Sequence, residues 1–157
     1  MWVYQIIKYI PGGIGFYIRR VFRPFNGGAD IDLWDGVHIE KPSLLYVGNK
    51  VSINRGCIIN AGGRVCIGNN VMIGPRVIIY SQNHRYDEKG TNFDSQGYIY
   101  KELVIKENVW IGAACVILPG VTISENCIIA AGSVLTKSTQ PNGLYAGNPA
   151  KRIKEVW

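Results

Sequence analysis

The sequence predicts an all-β fold, a parallel β-helix built from six-residue repeats, with a short N-terminal helical segment and one projecting loop at about residues 84–104. Two observations carry this prediction. Large aliphatic residues recur every six positions along most of the chain, and the recurrence is interrupted once, between Ile79 and Ile105. A unit of six residues has room only for one short strand and a turn, so such units bury a core by stacking.

The repeat has fourteen marked positions, all Ile, Leu or Val: Leu33, Ile39, Val47, Ile53, Ile59, Ile67, Ile73, Ile79, Ile105, Ile111, Ile117, Ile123, Ile129 and Leu135. Two steps have eight residues, those that start at Ile39 and Ile59, and they begin 20 residues apart. Three units per coil, with a two-residue bulge at one corner, produce this spacing. The pattern therefore predicts four to five triangular coils, with neighbouring strands about 4.8 Å apart.

Small or β-branched residues occupy most positions four residues after a marked one. Three of the four cysteines are among them, namely Cys57, Cys115 and Cys127, and we interpret these as small side chains that face the core. The fourth cysteine is Cys66. Because the chain contains no CxxC pair, the cysteines favour free thiols in a reducing compartment, and we expect a cytoplasmic protein.

The N-terminal segment interleaves apolar and aromatic side chains with four cations and no acid. The cations are Lys8, Arg19, Arg20 and Arg23. A Pro-Gly-Gly break at residues 11–13 leaves apolar runs shorter than the roughly 20 residues that span a membrane. Two interpretations stay open. Residues 1–28 form an amphipathic helical cap over the first coil, or residues 1–25 lie at the inner face of the cell membrane, with the aromatics among headgroups and the cations on anionic lipid.

The rest of the chain divides into a solenoid over residues 29–140 and a basic C-terminal tail over residues 141–157. The formal charge is +6, from 17 Lys and Arg against 11 Asp and Glu. Dense Lys and Arg clusters, as in nucleic-acid-binding proteins, are missing from the sequence beyond its N-terminus, so we expect no nucleic-acid partner. Two histidines are too few for an imidazole-rich metal site, and we expect no metal.

Four motifs carry a family resemblance: IGNNV at 67–71, ENVWIG at 107–112, LPGVTI at 118–123 and YAGNPA at 145–150. With these motifs the chain resembles the hexapeptide-repeat acyltransferases. It is similar to their maltose and galactoside O-acetyltransferase branch and to the O-acetyltransferases of bacterial surface polysaccharides. The resemblance implies a left-handed coil, although crossover connections are normally right-handed. It also implies a homotrimer with active sites between subunits.

The interruption of the repeat leaves about 20 residues outside the coil, and loops on a rigid scaffold often carry function. His84 opens this loop. Acyl transfer to a hydroxyl needs a base that works near neutral pH, and imidazole suits that role. From the residues alone His84 is either a base or a loop hydrogen-bonder, and the resemblance implies that it is the general base. We expect His38, at the end of a repeat unit, to be an outward surface residue.

Three residues are candidates for holding the acceptor. The resemblance implies this role for Asn54, although turns favour an asparagine in any case. Asp35 either orients the imidazole, binds sugar hydroxyls, or is a turn aspartate before Gly36. Trp110 matches the tryptophan that the family has beside its acyl-transfer site, and surface packing is the alternative.

The expected donor is acetyl-CoA. Its pantetheine arm can lie along a groove between coils or subunits, bonded to backbone groups of Gly112, Ala113 and Ala131, where small residues permit close approach. Its phosphates need cations, and the C-terminal region supplies Lys137, Lys151, Arg152 and Lys154. A solvated basic tail is the alternative interpretation of these cations.

We therefore expect an acetyl-CoA-dependent O-acetyltransferase. It would acetylate a hydroxyl of a small or lipid-linked saccharide in bacterial surface-polysaccharide biosynthesis, by direct attack with His84 as the base. No Ser or Cys in the sequence has a neighbouring His and acid that suggest an acyl-enzyme. Two alternatives stay open, acetylation of an amino-sugar or another small amine, and a β-helix scaffold without activity.

Overall fold

The computed structural model describes residues 2–157; Met1 and the side chain of Trp2, which the N-terminal prediction includes, lie outside the described residues. The chain forms a left-handed parallel β-helix of triangular coils. Each coil contributes one short strand to each of three flat faces and turns at the corners between them. The predicted fold class is confirmed.

The strands of each face are stacked in parallel. The first face holds Asn26–Gly27, Leu45–Val47, Val65–Ile67, Leu103–Ile105 and Thr122–Ile123. The second face holds Ile31–Leu33, Val51–Ile53, Met72–Ile73, Trp110–Ile111, Ile128–Ile129 and Gly143–Gly147, with Ala150–Glu155 added antiparallel at its end. The third face holds His38–Glu40, Ile58–Asn60, Ile78–Tyr80, Val116–Ile117 and Val134–Leu135.

The core is a column of aliphatic side chains inside the coil. All fourteen marked positions are buried, from Leu33 to Leu135, because each repeat unit turns one large side chain inward. The position four residues after a marked one is also buried in most units. Ser43 is an exception, since it lies in an eight-residue step, and Leu45 fills the core there instead.

The two eight-residue steps lie at the same corner, as their spacing predicts. This wide corner joins the third face to the first, and in the first coil it contains the 3-10 turn Pro42–Leu44. The stack is taller than the predicted four to five coils, because the second face has six parallel strands. The sixth strand is Gly143–Gly147. Residues 141–157, which we expected as a tail, therefore include a strand of the coil and the antiparallel Ala150–Glu155.

The loop leaves the coil at the wide corner, two residues earlier than predicted. Its base is an antiparallel hairpin of Gln82–His84 and Tyr98–Tyr100, in which His84 lies opposite Tyr98. The 3-10 turn Phe93–Ser95 lies between these strands. The loop is thus an ordered hairpin that carries His84 at the end of its first strand.

Two helices cover the first coil, α1 at Trp2–Ile7 and α2 at Gly12–Val21. The Tyr4 hydroxyl donates a hydrogen bond to the Val37 carbonyl at 2.9 Å, and Ile7 is buried beside it. These helices therefore close the N-terminal end of the core. Among residues 2–157, no helix combines the length and the apolar character that crossing a membrane requires.

Two of the four N-terminal cations are buried, so the expectation that all four face lipid is wrong. Arg19 is 1% exposed, and its guanidinium donates to the carbonyls of Leu33 and Ile10 at 2.9 and 2.6 Å. Lys8 is 5% exposed, and its Nζ lies 3.2 Å from Nδ1 of His38. Burial lowers the pKa of Arg19, and the carbonyl acceptors compensate part of the cost of burying its charge. Both side chains anchor the helices to the coil.

Three cysteines face the core as predicted. Cys57, Cys115 and Cys127 are fully buried, whereas Cys66 points outward and is partly exposed. The Cys57 thiol donates a hydrogen bond to the Gly74 carbonyl at 3.1 Å, and burial raises its pKa to about 11. These thiols are small core fillers.

Candidate active site

The corner that joins the second face to the third is lined by small residues. Because successive coils pair in register, Asn54, Gly74, Gly112 and Ala130 occupy equivalent positions, each directly after a strand of the second face. This column forms the floor of a groove that crosses several coils. We call this cavity the corner groove.

The corner groove has a volume of about 720 Å³. It brings together six predicted site residues, namely Asn54, Trp110, Gly112, Ala113, Ala131 and Lys154. The apolar side chains of Ile128, Leu144 and Val156 line much of the remainder. A largely apolar groove of this size with a few polar groups is typical of a ligand site.

Two backbone amides in the corner groove, those of Ala113 and Ala131, have no hydrogen-bond partner among residues 2–157. Each lies against a glycine of the preceding coil. A methyl group on Gly74 would come within 2.8 Å of the Ala113 nitrogen, and one on Gly112 within 2.6 Å of the Ala131 nitrogen. The two glycines therefore keep both amides accessible to a ligand. The Gly112 amide is itself occupied, since it donates to the Ile129 carbonyl at 2.7 Å.

Trp110 and Asn54 form the edges of the corner groove. Trp110 is 50% exposed and lies between Met72 and Ile128 in the ladder of the second face. The Asn54 Oδ1 accepts a hydrogen bond from the backbone N–H of Arg55 at 2.8 Å, which is the turn role that corners favour. Its Nδ2 has no partner within the described part of the chain, so Asn54 still has a donor for a ligand.

His84 lies at a different corner from the groove. The loop leaves the wide corner, whereas the corner groove lies between the second and third faces. The His84 side chain is exposed, and its ring centroid lies 4.4 Å from that of Tyr98. Its ring nitrogens form no hydrogen bond with any group among the described residues. Within one chain, His84 is therefore not brought together with Asn54 or Trp110.

Asp35 is also separated from His84 within one chain, so it does not contact the imidazole of the same chain. It lies on the first coil at the corner between the second and third faces, and it lines a smaller cavity with Trp34 and Arg55. Its charge favours the protonated form of the buried Arg19 and opposes the effect of burial on the pKa of that guanidinium. Asp35 therefore belongs to the region beneath α2.

The four predicted phosphate-binding cations are divided between two places. Lys154 lines the corner groove, and Lys151 and Arg152 are exposed on the same strand. Arg152 is partly engaged, because its Nη2 lies 3.5 Å from Oε1 of Glu155. Lys137 follows the last strand of the third face, at the corner from which the loop leaves in an earlier coil.

His38 faces outward as predicted, with 40% of its side chain exposed, and its Nε2 lies 3.5 Å from Oε1 of Glu40. It is also in contact with Lys8 of the helical cap. Among residues 2–157, no three His, Cys, Asp or Glu side chains come together in a way that could hold a metal ion.

Sequence reasoning missed several residues that shape the site. Gly74 and Ala130 line the corner groove, and the six-residue period could have identified them as equivalents of Asn54 and Gly112 once the loop is removed. Tyr98, which packs on His84, has no such signal because the loop has no period.

Comparison with known proteins identifies the family. The sequence signature described as bacterial transferase hexapeptide (six repeats) matches residues 103–137. A protein of Dictyostelium discoideum named as an acetyltransferase is 38% identical over 129 residues, which cover 82% of this chain and 67% of that protein. The chain belongs to the hexapeptide-repeat acyltransferase family.

The chain is also 36% identical to the galactoside O-acetyltransferase of Escherichia coli over 140 residues, 88% of this chain and 66% of that protein. The solved structure of a galactoside acetyltransferase in complex with coenzyme A superposes with a TM-score of 0.85 at 28% identity, covering 99% of this chain and 80% of that one. A Vibrio cholerae hexapeptide-repeat acetyltransferase complexed with acetyl coenzyme A gives 0.84 at 26% identity, with 98% and 85% covered. The chain spans 53% and 57% of the lengths of two fungal relatives.

Proposed function

We propose that the protein transfers an acetyl group from acetyl-CoA to a sugar hydroxyl. The observation that carries this proposal is the corner groove, which combines two accessible amides, an exposed tryptophan and a lysine of the C-terminal strand. The names of the relatives support the reaction, since the Escherichia coli protein is a galactoside O-acetyltransferase. The two solved structures that contain coenzyme A or acetyl-CoA support the donor.

The corner groove suits the extended pantetheine arm of the donor. The free amide of Ala131 can donate to one of its amide carbonyls, and the apolar walls can cover its methylene groups. Lys154 and Lys151 would bind the phosphates as exposed cations of the C-terminal strand. Arg152 contributes less to this role in our proposal because of its pairing with Glu155.

The chemical step needs a base, and His84 is our candidate. Its imidazole takes the proton of the acceptor hydroxyl while the oxygen attacks the thioester carbonyl. The tetrahedral oxyanion accepts a hydrogen bond from the free amide of Ala113, which is already in place beside Trp110. Collapse of this intermediate releases the coenzyme A thiolate, which takes the proton from the imidazolium. Asn54 would orient the acceptor through its Nδ2.

We propose that the protein is a homotrimer, and the positions of these groups support this proposal. In one chain, His84 and the corner groove lie at different corners of the triangular coil. A threefold arrangement can bring the wide corner of one subunit beside the corner groove of the next, so that both contribute to one site. Lys137 lies at the wide corner, where in the trimer it could reach the phosphates of a donor held by the neighbouring subunit.

The activity is tested by incubating the purified protein with acetyl-CoA and measuring free thiol release. The acceptors are methyl galactoside, maltose and a capsular oligosaccharide, with glucosamine as the amine control. We expect thiol release that depends on a sugar hydroxyl. Release only with glucosamine would favour an N-acetyltransferase, and the lack of both turnover and thermal stabilisation by coenzyme A would favour a scaffold. Turnover of the oligosaccharide would support a role in surface-polysaccharide biosynthesis.

We further propose that the helical cap contacts the inner face of the cell membrane, where a lipid-linked acceptor would be found. Seven large apolar side chains of the cap are between 55% and 76% exposed: Val3, Ile6, Tyr9, Ile14, Tyr17, Val21 and Phe22. On α2, Ile14, Tyr17 and Val21 share one face, opposite the buried Gly15 and Arg19. The helix thus has one exposed apolar face, and the coil covers the opposite face.

Charge favours lipid over a second copy as the partner of this face. The first acid of the chain is Asp30, so the cap has no carboxylate to attract a copy of itself. Of its remaining cations, Arg20 is exposed and paired with Asp30 at 2.7 Å, and Arg23 is partly exposed. In a self-pair these two arginines would face like charges. Anionic headgroups complement them, and interfacial tyrosines suit the headgroup zone.

A further inference from the structure

A second cavity lies beneath helix α2, and no step of the proposed reaction uses it. It has a volume of about 300 Å³, and we call it the cap cavity. Its walls are Gly12, Gly13 and Phe16 on the helical side and Trp34, Asp35 and Arg55 on the coil side. The cavity therefore exists only because the helices close the first coil.

The cap cavity borders the corner groove. Leu33 pairs with Ile53, so Trp34 and Asn54 are equivalent residues of successive coils, about 4.8 Å apart along the stack. Asn54 lines the corner groove, and Arg55, the next residue, lines the cap cavity. A molecule held by Asn54 could therefore extend into the cap cavity without leaving this corner.

Two opposite charges line the cap cavity without pairing with each other. Asp35 and Arg55 are also equivalent residues of successive coils. Among the described residues, however, neither side chain takes part in an ion pair or a hydrogen bond. Arg19 also lines the cavity, but its guanidinium is engaged by the carbonyls of Leu33 and Ile10. The cavity thus offers one carboxylate acceptor and one set of guanidinium donors.

Two aromatic rings line the cap cavity, Phe16 from the helical side and Trp34 from the coil side. Phe16 meets Trp34 edge to face, with ring centroids 5.6 Å apart, and the Arg55 guanidinium lies 5.6 Å above the centre of the Trp34 ring. A sugar ring matches this set, because its hydroxyls both donate and accept hydrogen bonds while its C–H groups pack on aromatic surface. A phosphate or a uronic acid could pair with Arg55 but would leave the Asp35 carboxylate facing a like charge, so an uncharged ring suits this pair of opposite charges better.

We propose that the cap cavity binds an uncharged sugar ring of the acceptor, next to the ring that is acetylated. This inference rests on the proposed function and deepens it. A volume of about 300 Å³ has room for one ring. The preferred acceptor is therefore a disaccharide or a longer glycan whose neighbouring unit is neutral, and a single sugar is a poorer substrate.

The test compares acceptors with one and two rings. The probes are methyl β-galactoside against lactose, and methyl α-glucoside against maltose. For each pair we measure the ratio of kcat/KM values, two rings over one. We expect the wild-type ratio for at least one pair to exceed tenfold, and Arg55→Gln and Asp35→Asn to lower it about tenfold, as expected for unpaired polar partners. A general loss of stability would lower both kcat/KM values and leave the ratio unchanged.

The matched controls are Asp32→Asn and Lys50→Gln, which change the same charges on the first two coils outside the cap cavity. They should keep the wild-type ratio. Equal kcat/KM values for one and two rings, or a ratio unaffected by Arg55→Gln, would overturn the inference and leave the proposed function intact. Direct binding of lactose and maltose is measured by calorimetry without donor. If a disaccharide binds, if its binding weakens in Arg55→Gln, and if no acetyl transfer is seen, the sugar site in the cap cavity is supported and the proposed function is contradicted. If neither binding nor acetyl transfer is seen, the sugar site is overturned as well.

Discussion

The imidazole of His84 packs against the phenol ring of Tyr98 across the base of the loop, with ring centroids 4.4 Å apart and planes inclined by 40°. The two residues lie opposite each other in an antiparallel hairpin, so the backbone fixes their separation. His84 is otherwise exposed. Tyr98 is therefore the contact that limits the orientations of the proposed base.

Tyr98 should act as a positioning residue. Tyr98→Ala removes the ring under His84, and we expect kcat to fall about tenfold while KM for acetyl-CoA stays within twofold. Tyr98→Phe keeps the ring and should retain kcat within twofold. Tyr86→Ala, on a more exposed tyrosine of the same loop, is the control. Wild-type kcat in Tyr98→Ala, or an equal loss in Tyr98→Phe, would exclude this role.

Trp110 should contribute to the donor site without contributing to the fold. It is 50% exposed at the groove edge, so Trp110→Ala should leave the melting temperature within a few degrees and lower kcat/KM for acetyl-CoA about tenfold. Met72 is its partner in the preceding coil, is 55% exposed, and does not line the groove. Met72→Ala should therefore behave like the wild type. Equal effects of both substitutions in steady-state kinetics would argue against Trp110 as a site residue.

The cap should bind anionic membranes through its apolar face. We expect the wild type to float with vesicles that contain phosphatidylglycerol and to remain in solution with purely zwitterionic vesicles. The triple substitution Ile14→Gln, Tyr17→Gln and Val21→Gln should abolish flotation, since it removes apolar contact area. The control carries Tyr86→Gln and Phe93→Gln, which change exposed aromatics of the loop. If the triple variant and the control float to the same extent, the proposal that this face contacts the membrane is contradicted.

Alkaline pH should destabilise the fold partly through Cys57. Burial raises the pKa of this thiol from its ordinary 9.0 to about 11, so above pH 9 the unfolded state loses the proton while the folded state keeps it. The unfolded state then binds fewer protons, and the free energy of unfolding falls as the pH rises from 9 to 11, by on the order of 2 kcal/mol for this group. Urea unfolding at several pH values measures this slope.

Cys57→Ala should reduce the change of the free energy of unfolding with pH between pH 9 and 11, whether or not the substitution itself changes stability. Val77→Ala is the matched control, because Val77 is the equivalent residue of the next coil and carries no titratable group. It should lower stability by a constant amount at every pH. An unchanged slope in Cys57→Ala would show that the thiol does not titrate in this range.

The coil could be predicted from the sequence because its physics is local and repetitive. Each six-residue unit must turn one large side chain inward, so residues such as Ile53 and Ile111 mark the period directly. The same period places Gly112 and Ala113 in one corner column with Asn54 and Asp35. Most residues of the corner groove can therefore be predicted from the sequence.

The features that could not be predicted are contacts between segments that do not share the six-residue period. The sequence of α2 does not indicate that the Arg19 guanidinium turns inward to backbone carbonyls while Arg20 stays outside. The cap cavity exists because α2 lies over Trp34, a contact between segments of different character. Likewise, His84 is separated from Asn54 because the loop leaves the coil at a different corner. The spacing of the repeat does not indicate whether one chain or two chains supply these residues to a site.

The central claim is that His84 of one subunit serves the corner groove of another. Two variants test it: His84→Ala, which removes the base, and Ala131→Trp, which fills the groove at an exposed position. Each alone should lose at least about a hundredfold in kcat, as expected for a missing general base or a blocked donor site. When the two are unfolded together and refolded as mixed oligomers, about a quarter of the sites should recover an intact base and an intact groove, and activity should return to that fraction. Activity of His84→Ala within a few fold of wild type, or a mixture as inactive as its components, would contradict the account.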